Sequence, residues 1–274
     1  MSGYITGIDV SEHNGVIDWD KVKASGIGFA MLRAGYGQTV DLRFEQNVSA
    51  CNRLGIPCGV YWFSYALSAI GAAREAACCL AAIRPYKIDC PVAFDLEYDS
   101  VKYAQKKGVY IGMGLASEMA RAFCQTVREA GYAAVNYANP DYLNRYFDER
   151  VQTEFPVWLA QWPNGTPNLD KPPRTCEIWQ YSDKGSLPGI SGPVDLDVCY
   201  GQYSKQEPAS EGMTGEQIYR ALNRYLDTLP VPEWAGKELA EARELGITDG
   251  ENPTWLVPRY QAAIMALRAL KRRR

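Results

Sequence analysis

The chain has 274 residues, which suits one large domain with a small appendage. Its 29 Lys plus Arg against 32 Asp plus Glu leave a formal charge of −3, so no positive field exists for gripping nucleic acid or an anionic membrane. At 47% hydrophobic and 12% aromatic it can bury a full core without a disulfide scaffold, and its single histidine, His13, excludes any metal site or catalytic triad that needs two imidazoles.

Met1 to Val10 lacks a basic segment followed by an apolar one, and nowhere do 18 apolar residues run together. Synthesis in the cytoplasm without a cleavable signal, and no membrane span, are the expectations. Eight β-rich segments follow in chain order, at about 4–10, 28–33, 58–64, 91–97, 132–137, 156–160, 176–181 and 194–199. Several are apolar on both faces, as in Gly59-Val60-Tyr61-Trp62-Phe63, which is the mark of parallel strands covered by helices. Helical stripes lie between the early ones: Phe44, Asn47, Val48, Cys51 and Leu54; an alanine-rich segment over 68–84; and Leu115, Met119, Phe123 and Val127. A short helix is expected near 140–147. The gaps 161–175 and 182–193 are rich in Pro, Gly and Asn and too irregular for crossover helices. Five strand-helix units plus three further strands predict an α/β fold, a TIM-like closed barrel with its final helices lost, and an open doubly wound sheet is the alternative. The eight cysteines, mostly in apolar runs and without paired C-x-x-C spacing, read as reduced core thiols.

The polar stretch 204–213 reads as a linker, closing a barrel domain over 1–203. Beyond it, 214–274 predicts a small three-helix module. Thr214 with Gln217 forms a capping-box pattern ahead of Ile218, Leu222, Tyr225 and Leu229; a second helix runs from about Trp234 to Leu245, and a third from about Pro258 to Leu270.

In such a barrel, chemistry gathers at the C-terminal ends of the strands. Strand one closes on Asp9, strand four on Asp95 and Glu97, and strand eight on Asp195 and Asp197. Asp95 and Glu97, two residues apart on a pleated strand, share one face with Cα atoms roughly 6.6 Å apart. Two carboxylates that close cannot both ionise cheaply, and the one in the drier setting keeps its proton. That supplies a general acid at neutral pH, whose common use is glycosidic cleavage. Aromatics at the strand ends suit a floor for pyranose rings: Tyr61, Phe63, Tyr98, Tyr137, Trp158, Trp162, Trp179 and Tyr181. Alternation sets Trp62 opposite Tyr61 and Phe63, so these residues cannot all face the site.

Seven motifs then occur in one order: Gly7-Ile8-Asp9-Val10-Ser11; Phe44-x-x-Asn47 leading to Gly55-Ile56-Pro57; Gly59-Val60-Tyr61-Trp62-Phe63; Phe94-Asp95-Leu96-Glu97; Trp158-Leu159-Ala160; Trp179-Gln180-Tyr181; and Val194-Asp195. Together they resemble glycoside hydrolase family 25, lysozymes that cut peptidoglycan after N-acetylmuramic acid, over residues 3 to about 203. The resemblance implies Glu97 as general acid, Asp9, Asp95 and Asp195 completing the acidic cluster, and Gln180 joining Tyr61, Phe63, Tyr98, Tyr137 and Trp158 in substrate binding. It leaves open whether Asp95 orients the substrate's N-acetyl group or activates water. The family often shows Asn where this chain has Asp197, which raises the question of whether Asp195 or Asp197 points inward; Asp195 is favoured.

The tail, with Pro232-Glu233-Trp234-Ala235 and Leu245-Gly246-Ile247-Thr248-Asp249-Gly250, resembles a single S-layer-homology repeat. The combination is similar to a phage or prophage endolysin released through a holin pore. The implied substrate is the β-1,4 bond between N-acetylmuramic acid and N-acetylglucosamine, with no cofactor or metal. The implied partners are bacterial peptidoglycan, a secondary cell-wall polymer, or a second copy through the C-terminal helices. A chitinase-like hydrolase and a catalytically silent wall-binding protein are the competing expectations.

Overall fold

The computed structural model describes residues 3–201, positions 219, 222, 223 and 226, the stretch 233–245 and position 247. The chain divides into two units, 1–213 and 214–274.

In the first unit the strands are β1 (Ile5–Val10), β2 (Phe29–Tyr36), β3 (Thr39–Val40), β4 (Cys58–Phe63), β5 (Val92–Asp95), β6 (Ala134–Ala138), β7 (Val157–Ala160), β8 (Ile178–Gly185) and β9 (Val194–Cys199). The helices are α1 (Trp19–Ala24), α2 (Phe44–Leu54), α3 (Ala69–Ile83), α4 (Tyr98–Lys106), α5 (Met113–Glu129), α6 (Pro140–Arg145) and α7 (Glu149–Glu154). Strand order runs β1-β9-β8-β7-β6-β5-β4-β2, and β1 also pairs with β2, so eight strands close into a barrel. That closure settles the choice against an open sheet. Around the ring, pairing is parallel except at β8–β9 and β9–β1; β9 follows β8 after a short connection, which antiparallel neighbours allow without a crossover helix. The short β3 lies outside the ring as an antiparallel ribbon on β2.

Alternation sorts the strand residues into two layers. Phe29, Met31, Cys90, Ala93, Val135, Trp158, Ile178 and Cys199 fill the barrel interior. Trp62 and Phe94 point outward and are fully buried by the helices, with Phe94 5.3 Å from Phe123 of α5. Each such side chain contributes about 1.5–3 kcal/mol by burial. Two glycines make the interior possible. A Cβ on Gly59 would meet the Pro91 carbonyl at 2.5 Å, and one on Gly7 would enter the Phe29 ring.

The α3 helix shows how local sequence sets an element. Ser68 caps it, its Oγ accepting from the Gly71 N–H at 3.1 Å; its alanines present a flat buried face to α5; and Pro85 follows its end, where the helix cannot continue.

The structure departs from expectation at several elements. Strand β5 stops at Asp95, and Glu97 is instead the extended residue ahead of α4. The helices α1, α4 and α7 and the ribbon β3 carried no strong periodic signal. In the second unit, helix α8 (Glu233–Glu244) matches the second expected helix. Leu222 and Leu226, one turn apart, are both buried, so Leu226 joins the apolar face expected from Leu222. The linker 204–213 and the third expected helix lie outside the described residues.

Candidate active site

Asp9, Asp95, Glu97, Asp195 and Asp197 converge at the C-terminal end of the barrel, with Asp195 directly opposite Asp9 in the β1–β9 register and Asp197 opposite Gly7. Being two apart on one strand, Asp195 and Asp197 face the same way, so both point inward. Asp195 is half-buried at the rim, whereas Asp197 is fully buried one layer down. There its Oδ1 accepts from Trp158 Nε1 at 2.8 Å. Asp9 lies within hydrogen-bonding reach of Asp197, and its Oδ2 accepts from Gln180 Nε2 at 2.7 Å. The acids therefore form two pairs, Asp9 with Asp197 and Asp95 with Glu97.

Burial raises every member. Asp9 is pushed well above the ordinary carboxylate range by desolvation and by the charges of Asp197 and Asp195. Asp197 is raised to about 7 and Asp195 to about 6, both chiefly by burial. Asp95 is held well above the usual range by desolvation and by the neighbouring Glu97, against the opposing pull of Arg33. Glu97 is raised less, because its hydrogen bond with Asp95 offsets part of the desolvation. Two carboxyls in contact titrate as a unit, each making the ionisation of the other costlier. Asp95 is the more deeply buried of the two and is raised further than Glu97. The Glu97 backbone N–H donates to Ser100 Oγ at 3.1 Å, which fixes the turn into α4 and leaves the Glu97 carboxyl half-buried.

The aromatic candidates separate into three groups. Tyr61, Phe63 and Tyr137 are half-buried at the strand ends, and Tyr98 is exposed at the start of α4. The Tyr61 and Tyr137 phenols stay neutral, held up by burial and by the surrounding carboxylates. Trp158, expected to touch sugar, is 1% exposed and instead supports Tyr137 and Tyr61, with ring centroids 4.8 and 5.7 Å away. Gln180, also buried, takes hydrogen bonds on its Oε1 from Tyr137 OH and Trp162 Nε1, each at 3.2 Å. It orients Asp9 rather than presenting itself to solvent. Trp179 turns away from the interior, its Nε1 donating to the Gln161 carbonyl at 2.7 Å.

Sequence reasoning missed Arg33. This buried residue of β2 pairs with Asp41 at 2.7 Å and Glu12 at 2.9 Å, and its charge reaches both Tyr61 and Asp95. The available signal was an arginine inside the apolar run Phe29–Tyr36, where an unpaired charge would be costly. Beside Glu97 lies a cavity of about 470 Å³, lined by Tyr98, Tyr137, Asn139, Tyr142 and Trp162 among others, of the size and aromatic character that suit a sugar. Among the described residues no cluster of His, Cys, Asp and Glu has the form of a metal site.

Comparison with known proteins agrees with this architecture. The chain is 29% identical over 196 residues to the autolytic lysozyme of Clostridium acetobutylicum, covering 70% of this chain and 54% of that protein. It is 28% identical over 210 residues to lysozyme M1 of Streptomyces globisporus, covering 73% and 69%. The modular autolysin LytC from Streptococcus pneumoniae, solved in complex with a synthetic peptidoglycan ligand, superposes with a TM-score of 0.62 at 27% identity, covering 71% of this chain and 46% of that one. A family 25 glycosyl hydrolase from Bacillus anthracis shares the fold, with a TM-score of 0.60 at 24% identity over 74% and 92%. The chain thus spans about half the length of the autolytic lysozyme and of the autolysin. The family model described as glycosyl hydrolases family 25 matches residues 8–190, from the strand bearing Asp9 to the loop before β9. With that match laid over a closed eight-stranded barrel, the chain belongs to glycosyl hydrolases family 25.

Proposed function

We propose that this chain is an N-acetylmuramidase that hydrolyses the β-1,4 bond between N-acetylmuramic acid and N-acetylglucosamine in bacterial peptidoglycan. The observation that carries the reading is the Asp95–Glu97 pair, two contacting carboxyls of raised proton affinity at the barrel rim beside an aromatic cavity. The names of the lysozyme and autolysin relatives support the substrate class.

Glu97 is the more exposed member of the pair, so it is the one that reaches the glycosidic oxygen. A sugar ring laid over it removes its remaining water and raises its proton affinity further, so that it holds the proton it delivers. Glu97 then protonates the leaving oxygen as the C1–O bond breaks. The negative charge left on Asp95 and Asp195 stabilises the oxocarbenium-like carbon. Water adds to C1, and its released proton returns to the carboxylate pair. Asp9 is positioned by Gln180 and Asp197 at the same end of the barrel, beside Asp195, where it fixes the sugar. The C-terminal unit is assigned wall attachment on its likeness to an S-layer-homology repeat.

Glu97→Gln removes the transferable proton and keeps the shape. Release of reducing ends from purified cell walls is expected to fall about 10²–10⁴-fold, with an unchanged melting temperature. Wild-type turnover in that variant would refute the assignment.

A further inference from the structure

A second and larger cavity, of about 840 Å³, opens on the other side of α4, and nothing in the reaction described above uses it. Its lining is cationic. Arg74 of α3 and Lys106 of α4 carry no ion-pair partner among the described residues, while Lys102 pairs with Asp99 at 3.0 Å. Glu75, also in the lining, is 4% exposed, and its Oε1 accepts from the Tyr65 N–H at 2.9 Å. Its Oε2 is buried without a partner. Burial raises this carboxyl to about 8, so at neutral pH it is chiefly uncharged and does not cancel the cations.

The cavity is joined to the acid pair by a row of rings. Phe63 is the register neighbour of Asp95, Tyr65 lies 5.2 Å from Phe63, and Tyr103 lies 5.1 Å from Tyr65. Glu97 stands at the N-terminus of the same helix whose later turns carry Lys102 and Lys106. At 1.5 Å per helical residue, Lys106 is roughly 13 Å along the axis from Glu97.

From this placement we propose that the cavity binds the acidic stem peptide carried by the muramic acid whose glycosidic bond lies at Glu97. The inference rests on the muramidase reading above and adds a second recognition element to it. Each extended residue spans at most about 3.3–3.6 Å, so a stem of three to five residues, attached through its lactyl ether, covers the distance. Its backbone and alanine methyls suit the tyrosine faces. Its carboxylates suit Arg74 and Lys106, which are unpaired ahead of binding. The buried Glu75 carboxyl offers a neutral hydrogen-bonding group at the floor.

Both Arg74 and Lys106 are exposed, so the double variant Arg74→Glu/Lys106→Glu reverses charge without touching the core. Two soluble glycan strands serve as substrates, one with intact stems and one stripped of them by an amidase. The wild type is expected to cleave the stem-bearing strand with a kcat/KM about tenfold higher, and the variant to lose that preference through KM while cleaving the stripped strand at the wild-type rate. A preference unchanged in the variant, or absent in the wild type, overturns the proposal. No turnover of either strand by the wild type would instead refute the muramidase reading. In that case calorimetric titration with the tripeptide L-Ala-γ-D-Glu-L-Lys decides the cavity separately: binding by the wild type that the variant loses supports it, and equal or absent binding overturns it.

Discussion

Asp195 lies on β9 and Glu97 just beyond the end of β5, yet the charge of Asp195 helps raise Glu97. A carboxylate raised by a neighbouring negative charge falls back when that charge is removed. Asp195→Asn is therefore expected to move the basic limb of the kcat/KM profile toward lower pH, because the Asp95–Glu97 proton is then lost earlier. The profile of the variant on a soluble glycan checks this, and a limb that stays in place or rises would show that Asp195 does not act on the pair. At this scale the carboxylates were legible in the sequence, since an acidic residue closing an apolar strand is conspicuous. Their pairing was not. Asp9 and Asp197 are 188 positions apart and meet only through the antiparallel β1–β9 ladder, and the depth of Trp158 follows from barrel layering rather than from its neighbours in sequence.

The eight barrel strands were readable because each carries a short cluster of β-branched, aromatic or other apolar residues set off by turn-rich or helical stretches. Helix α4 was not, since Tyr98–Lys106 buries only Ser100, Val101 and Ala104 and shows no wide apolar stripe. Its start just after Glu97 explains why strand β5 looked longer than it is. The β2–β3 hairpin was equally hidden, and it matters because it places Asp41 under Arg33. Asp41 accepts from Arg33 Nε at 2.7 Å and from the backbone N–H groups of Glu12 and Arg43 at 3.0 and 2.8 Å, tying three segments around a buried cation. Asp41→Asn would leave Arg33 with Glu12 as its remaining anionic partner. The expected loss is about 3 kcal/mol, read as a lower denaturation midpoint at unchanged slope. A midpoint within error of the wild type would mean that the clamp contributes no net stability.

For the whole molecule, the sequence-derived count of five strand-helix units and three strands anticipates the closed barrel, while the antiparallel pairing of β9 with both its neighbours emerges only in the structure. Closure is what gathers acids from strands at both ends of the first unit onto one rim, and the function proposed for the chain depends on it. Product chemistry tests that function most directly. Purified peptidoglycan digested with the wild-type protein, reduced with borohydride and analysed by mass spectrometry should yield muropeptides whose reduced terminus is N-acetylmuramitol. Termini of reduced N-acetylglucosamine, or no new termini under conditions where the folded protein binds the wall, would contradict the account.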